Sequence, residues 1–498
     1  MKVLVTGGTG IIGESAVRAL HSRGHTVRVL SRQAGRGEKW WPAGVDGWAG
    51  DVSDAASVRG SAEGCDVVLH IAGIAVERPP NRTFQAVNIE GTRYVVLEAE
   101  RAGAKKVVYV SSLGADRGQS PYHQSKLVAE DVVRTFSRDW VVLRPGAVYG
   151  PGDDHVSVLL QMIRSLPLIP TIGDGNQVFQ PVWHEDVGEV LAMSVERDTV
   201  RCCTLEVAGP DLTSQNDLTD RLRALTDRSA PQAPLPELFA SWGLRALDAI
   251  GVSVPFNESQ LRMLTEGNFI PRGTANALTD VFGIAPTRLD EGLRRLVNEQ
   301  PDQLPSAGIG ALTRKRFWVD VSHSRFDADS LFAYVRAHLP ALMSSPIIRV
   351  QVEPFASTLI EEGETLTLEI PLRGHVQVRV CEVMDRRITL LTVAGHPIAG
   401  AVRFLVEPNG DALRFEIQVY DRPASVFDQI MLKTVGEWLQ RAAWVGLCEN
   451  VAREAGDESA EVQTSQEELS DDELRVVDEW ASTLSVRSQR NGRSAKRE

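Results

Sequence analysis

The segment Gly7-Gly8-Thr9-Gly10-Ile11-Ile12-Gly13 limits what this chain can fold into more than any other stretch. It follows Lys2 to Thr6, an apolar, β-branched run that reads as a buried parallel strand. A helical pattern comes next, with Ala16, Val17, Ala19 and Leu20 on one side and an end near Gly24. A second strand is expected over Thr26 to Leu30. Strand, glycine loop, helix and strand make one βαβ unit. Each glycine has a physical reason: Gly7 permits the tight turn, Gly10 lets the backbone approach a pyrophosphate, and Gly13 lets the helix pack on the strand. The helix start then offers free N–H groups and the positive end of its dipole to phosphates.

The end of the second strand selects the cofactor. An acid there would bind a ribose 2′-hydroxyl, but Ser31 and Arg32 stand there instead. An arginine pairs with a 2′-phosphate, so NADP is expected, with NAD as the alternative. Further strands are expected at Val45–Ala49, Val67–Ala72, Val107–Val110 and Val141–Leu143, with helical patterns between them. Alternating strands and helices predict an α/β fold, a doubly wound parallel sheet of the Rossmann type. Ligands bind beyond the carboxyl ends of such strands.

Tyr122-His123-Gln124-Ser125-Lys126 opens a helix after Ser111-Ser112. Tyr122 and Lys126 are four apart and share a helix face. A tyrosine phenol in water ionises near pH 10, and a neighbouring ammonium favours its ionised form. The pair is a candidate general acid/base for carbonyl–alcohol interconversion.

With these residues in place, residues 1 to about 300 resemble the extended or atypical short-chain dehydrogenase/reductase superfamily. The matching stretches are Thr6–Gly13, Gly50-Asp51-Val52, His70-Ile71-Ala72-Gly73, Asn88-Ile89-Glu90-Gly91-Thr92, Val110-Ser111-Ser112, Tyr122–Lys126, Leu143–Asp154, the run Gln180–Val187, and Glu206–Pro210. The resemblance implies roles by position. Gly7, Thr9, Gly10, Ile11, Ile12 and Gly13 would hold the pyrophosphate. Ser31 and Arg32 would face the adenosine ribose, and Asp51 and Val52 would flank the adenine. Ile71, Ala72 and Gly73 would line the ribose side, with Ser111 near them. Tyr122 would be the acid/base, with Lys126 on the nicotinamide ribose. Pro145, Gly146 and Val148 would pass beside the nicotinamide. Asn88 would support the strand and a proton-relay water. One register puts Leu113 where relatives keep a hydroxyl, and Ser112 is the substitute candidate. The stretch from Thr265 to Leu296, with Asn276–Leu296 in it, is similar to the branch containing the accessory NAD(P)H-binding subunit of respiratory complex I, some of whose members keep the nucleotide and lose catalysis.

At 498 residues the chain is too long for one core. The expected division is 1–300, a linker over 301–314, a second domain over 315–455, and a charged, disordered tail over 456–498. In the second domain, short alternating segments run from Phe317–Val321 through Ile347–Val352, Leu366–Ile370, Val376–Val383, Ile388–Val393 and Gly400–Val406 to Leu413–Val419, and an amphipathic helix spans about Ser425 to Ala455. Strands closed by one long helix suggest an α+β helix-grip sheet. His396-Pro397, Arg403-Phe404, Tyr420-Asp421-Arg422-Pro423 and Gln440 resemble an uncharacterised START-related family, with Ala401 where that family has a glutamate. Such a sheet would leave an apolar cavity. His396 reads as a ligand group or, more simply, a backbone-bonded turn histidine. Arg422 reads as structural, and Trp438 and Trp444 as core.

The net charge of −13 argues against nucleic-acid binding. No run approaches the roughly 20 apolar residues needed to span a bilayer, and peripheral membrane contact is left open. Five cysteines without metal-ligand spacing suggest free thiols, a cytoplasmic setting and no metal site. The expected function is an NADP(H)-dependent oxidoreductase or epimerase-like enzyme on a carbonyl or alcohol substrate. If the second domain holds an apolar ligand, that substrate is a lipid, isoprenoid or quinone-like molecule. The rival is a non-catalytic NAD(P)H-binding accessory or assembly module. The sequence does not give the oligomeric state.

Overall fold

The computed structural model describes residues 1–32, 34, 41–165, 169–172, 174–226, 231–235, 268–343, 349–352, 359–370, 374–432 and 436–495. The parts of these expectations that fall on 265–267, 347–348, 433–435 and 496–498 lie outside the described residues. The chain divides into two compact units, the first ending at Glu299 and the second running mainly from Gln300 to Glu498.

The first unit is built on seven parallel strands: β1 (Lys2–Thr6), β2 (Thr26–Ser31), β3 (Asp46–Ala49), β4 (Val67–His70), β5 (Lys106–Val110), β6 (Asp139–Pro145) and β7 (Cys203–Val207). Their order across the sheet is β7-β6-β5-β4-β1-β2-β3, with every neighbouring pair parallel. This is the doubly wound Rossmann sheet, and its order reverses between β1 and β4. Four helices matter for the site: α1 (Ile11–Ser22), α2 (Gly91–Ala102), α3 (Pro121–Arg134) and α4 (His184–Glu196). The strands form because Val3, Val5, Val27, Val29, Leu69 and Val108 are all buried on one side of the sheet, against Ala16, Val17 and Leu20 of α1. Each such side chain contributes roughly 1.5–3 kcal/mol by leaving water. On the other side Leu4, Val68, Val107 and Tyr109 pack against Val95, Val96 and Ala99 of α2.

The second unit is one antiparallel sheet of eight strands: β8 (Leu312–Val321), β9 (Arg349–Val352), β10 (Thr365–Ile370), β11 (Gly374–Met384), β12 (Arg387–Thr392), β13 (Ile398–Asn409), β14 (Ala412–Pro423) and β15 (Gln463–Leu469). The order is β9-β10-β11-β12-β13-β14-β8-β15. Helices α5 (Ala328–Met343), α6 (Glu437–Ala455) and α7 (Asp471–Ala495) accompany it. The strand positions follow the expected alternation, and Gly410 supplies the positive φ (62°) at the tip of the β13–β14 hairpin.

Four expectations for this half are corrected. The tail does not stay free: β15 pairs with β8 along Leu312–Trp318, and α7 buries Ala481 and Leu484 beside Cys381, Leu391 and Ala401. The 301–314 stretch is not a tether, because Asp302 is buried in an ion pair with Arg379 and accepts a 2.6 Å hydrogen bond from Ser485. The expected apolar cavity is occupied by side chains, with Phe317, Val319, Phe404 and Phe415 of the sheet packed with Leu331, Val335 and Leu339 of α5 and Leu447 and Val451 of α6. Finally, Trp438 is 65% exposed rather than core, while Trp444 packs edge-on to Phe404. Of the residues that suggested a START-related family, several are staples. Lys315 Nζ donates to Asp421 at 2.8 Å and to Gln440 at 2.6 Å. The Arg422 guanidinium donates to the carbonyls of Gly310 and Pro305. His396 Nδ1 accepts the Ile398 N–H at 3.1 Å, as a turn histidine does.

Candidate active site

The carboxyl ends of the parallel strands open into a cavity of about 700 Å³. The glycine loop forms its floor. Gly7 has φ +73°, and a Cβ there would sit 2.7 Å from the Ala72 nitrogen. A Cβ on Gly13 would lie 2.0 Å from the Gly7 carbonyl oxygen. A Cβ on Gly10, in contrast, would meet nothing nearer than that oxygen at 3.7 Å, so its open side faces the cavity. Gly10 also caps α1 without any side-chain acceptor, which leaves the first N–H groups of the helix for a ligand. A cradle of backbone donors with room where a side chain would stand fits a pyrophosphate.

Gly7, Thr9, Gly10, Ile11, Ile12, Gly13, Ser31, Arg32, Asp51, Val52, Ile71, Ala72, Gly73, Ser111, Ser112, Tyr122, Lys126, Pro145, Gly146 and Val148 all line this cavity. Arg32 is exposed, with its Nε 4.0 Å from Asp51. Such a loose, solvated pair contributes little and leaves the guanidinium available. Asp51 itself accepts from the Ser53 N–H at 3.0 Å.

Asn88 is the one sequence-chosen residue that is not on the wall. It sits in a π-helical turn, Gln85–Glu90. Its Oδ1 accepts from Ile74 N at 2.8 Å, and its Nδ2 donates to Ile74 O and to Ser125 Oγ, both at 3.0 Å. It shapes the Gly73–Ile74 wall from behind.

Helix α3 begins where Ser120 caps it, accepting from His123 N at 3.2 Å, with Pro121 in the first turn. That start brings Tyr122 and Lys126 to the cavity. Burial raises the Tyr122 phenol above its usual value, and a hydrogen bond with Ser112 pulls the other way. Lys126 Nζ donates to the Val110 carbonyl at 2.7 Å and stands 4.6 Å from the centre of the Tyr109 ring. Burial takes this lysine down to about 7, against an opposing pull from Glu130. The expected lowering of the phenol by the ammonium is therefore not what the geometry displays: desolvation dominates. Ser112, the substitute candidate, lines the cavity and hydrogen-bonds with the tyrosine, while Leu113 is fully buried.

Behind this face lies a buried charged cluster. Glu130 is fully buried, one turn beyond Lys126 on α3. It accepts from Ser111 Oγ at 2.6 Å and from Arg144 Nε and Nη2 at 2.8 Å each. It ties the ends of β5 and β6 to α3, and so holds Ser111-Ser112 and Pro145 in register with Tyr122. Sequence reasoning passed over Glu130, although its spacing four beyond Lys126 was a signal. It also passed over Arg82, Asp154, His155, Phe179 and Asn268, which line the far end of the cavity. Asp154 ends the Leu143–Asp154 motif, and His155 follows it directly. Arg82 and Asn268 come from connecting segments with no local signature.

Among known proteins, the chain is 34% identical over 177 residues to ceramide reductase of Caulobacter vibrioides, covering 35% of this chain and 55% of that one. It thus spans about half the length of that relative. It is 29% identical over 325 residues to sterol demethylase protein B of Methylococcus capsulatus, covering 58% of this chain and 94% of that protein. The structure of the Citrobacter triphenylmethane reductase, complexed with NADP(H), aligns over 59% of this chain and all of that one with a TM-score of 0.51 at 19% identity, which shows a shared fold. Residues 3–202 match the NAD dependent epimerase/dehydratase family.

Proposed function

We propose that the first unit is an NADP(H)-dependent oxidoreductase acting on the carbonyl–alcohol pair of a largely apolar substrate. The observation that carries this reading is the meeting of Ser112, Tyr122 and Lys126 on the wall of the same cavity as the glycine loop and Arg32. The glycine loop and the α1 start would hold the pyrophosphate, and Arg32 a 2′-phosphate. When bound, the nicotinamide supplies or takes up a hydride at its C4. Tyr122 would hold the proton at the substrate oxygen, and a phenol raised by burial is protonated at neutral pH, as a reductase needs. Ser112 orients that phenol. Lys126, near 7, adds positive charge to the site below neutrality.

The apolar character no longer rests on a cavity in the second unit. It rests on Ile74, Val87, Val156 and Phe179 around the far end of this cavity, and on the names of the two relatives. The rival reading, a non-catalytic nucleotide-binding module, drew on a missing hydroxyl and on the likeness to the complex I accessory-subunit branch; Ser112 on the cavity wall weighs against the first of these. The test is Tyr122→Phe with NADPH and a panel of long-chain ketones. Turnover should fall by roughly a hundredfold or more while NADPH affinity stays unchanged. Wild-type protein that binds NADPH and reduces no ketone would refute the oxidoreductase reading.

A further inference from the structure

At the far end of the cavity the segment from Arg78 to Arg82 folds back on itself. Arg78 N donates to Arg82 O at 2.7 Å, and Arg82 N donates to Arg78 O at 3.2 Å, forming an isolated antiparallel bridge. Residues that exchange both hydrogen bonds in this way stand directly opposite and send their side chains to the same face. The hairpin therefore presents two guanidinium groups side by side. Like charges directly opposite destabilise a pair of strands, so a compensating anion is to be expected nearby.

Among the described residues neither guanidinium takes part in a side-chain hydrogen bond or an ion pair. The Glu77 carboxylate, next in sequence, accepts the Phe84 N–H at 2.6 Å rather than a guanidinium N–H. The Asp153 carboxylate likewise accepts backbone N–H groups, those of His155, Val156 and Ser157. Burial, with Asp153, raises the Asp154 carboxyl, and Arg78 lowers it through space. Arg82 lines the cavity together with Ile74, Val87, Val156 and Phe179. An apolar chamber thus has the Tyr122–Lys126 acid/base pair on its wall together with Arg82, whose guanidinium is in no ion pair among the described residues.

We infer that Arg78 and Arg82 seat an anionic group, a carboxylate or a phosphate, borne by the substrate. The substrate class is then an apolar carbonyl compound carrying an acid, such as a long-chain oxo acid or its phosphorylated counterpart. The inference rests on the reading of the cavity as a substrate site, but anion binding can be measured without turnover.

The experiment is calorimetric titration of full-length protein, with and without NADPH, using octanoate, octyl phosphate and uncharged octanamide. Wild-type protein should bind at least one anion roughly tenfold or more tightly than the amide, about 1.4 kcal/mol. Arg82→Ala should erase that preference and leave amide and NADPH binding unchanged, and Arg78→Ala should weaken it. The tighter of the two anions identifies carboxylate or phosphate as the group recognised. Equal binding of amide and anions, or an undiminished preference in Arg82→Ala, overturns the inference. So does a selective fall in NADPH affinity in Arg82→Ala, which would assign the arginine to the cofactor. Loss of NADPH binding in the wild type itself would instead strike the oxidoreductase reading and leave the anion result to stand by itself.

Discussion

Replacing Glu130 with Gln removes a buried charge and one of two accepting oxygens while keeping the side-chain volume. Glu130 is fully buried and accepts from Arg144 through both Nε and Nη2, from Arg134 Nη2 at 2.8 Å and from Ser111 Oγ. Arg134 is partly solvated and can re-solvate. Arg144 is 7% exposed and keeps only Asp116, at 2.6 Å. Breaking a buried pair by removing one partner costs about 3–5 kcal/mol, mostly from the orphaned charge. Gln retains one acceptor oxygen and the volume, so the lower end, about 3 kcal/mol, applies. For a unit of this size that is a fall in the transition temperature of roughly 5 °C. Scanning calorimetry of the first unit's transition in wild type and Glu130→Gln measures it directly. A shift under about 2 °C would refute the reasoning, because desolvation would then cancel the attraction and Glu130 could not be what fixes Ser111 and Pro145.

Two further outcomes follow from neighbouring geometry. Gly13→Ala places a methyl 2.0 Å from the Gly7 carbonyl, so the loop must open; NADPH affinity should drop by roughly tenfold or more with circular dichroism unchanged, and unchanged affinity would remove the glycine argument. His70 is buried between Thr6 Oγ1 (2.6 Å) and Thr92 Oγ1 (3.0 Å) and is held down to about 3. Unfolded, it takes up a proton below about 6.5 while the folded form stays neutral, so stability is lost as pH falls through the window from 6.5 to 3. Between about pH 7 and pH 5 the stability advantage of wild type over His70→Gln should shrink by ~2 kcal/mol in urea unfolding; a pH-independent difference would contradict it.

The parallel sheet was legible because buried parallel strands are continuous apolar runs, as in Val3-Leu4-Val5 and Val67-Val68-Leu69, and because the glycines each answer a local steric demand. The cofactor wall was legible for the same reason: its residues sit at strand ends. What stayed hidden depends on long-range packing. Asn88 carries a signature but acts from behind the wall, through Ile74 and Ser125. The ionisation of Tyr122 and Lys126 follows from desolvation, which spacing alone does not reveal. Edge strand β15 has six exposed residues, Gln463 to Glu468, and only Leu469 buried, so no alternating pattern marks it; pairing with β8 defines it. Helix α5 contains Pro340, which argues locally against a helix and hides it from pattern reading. The filled core of the second unit depends on how Phe317, Phe404 and Phe415 meet α5 and α6, a matter of volume rather than pattern.

Everything proposed for the first unit depends on the nucleotide pocket. The direct measurement is fluorescence titration of the full-length protein with NADPH and with NADH, repeated on Arg32→Ala. NADPH should bind roughly tenfold or more tightly than NADH, and the substitution should weaken NADPH alone. NADH binding as tight as NADPH would contradict the assignment of Arg32 to a 2′-phosphate, and binding of neither would contradict the cofactor site itself.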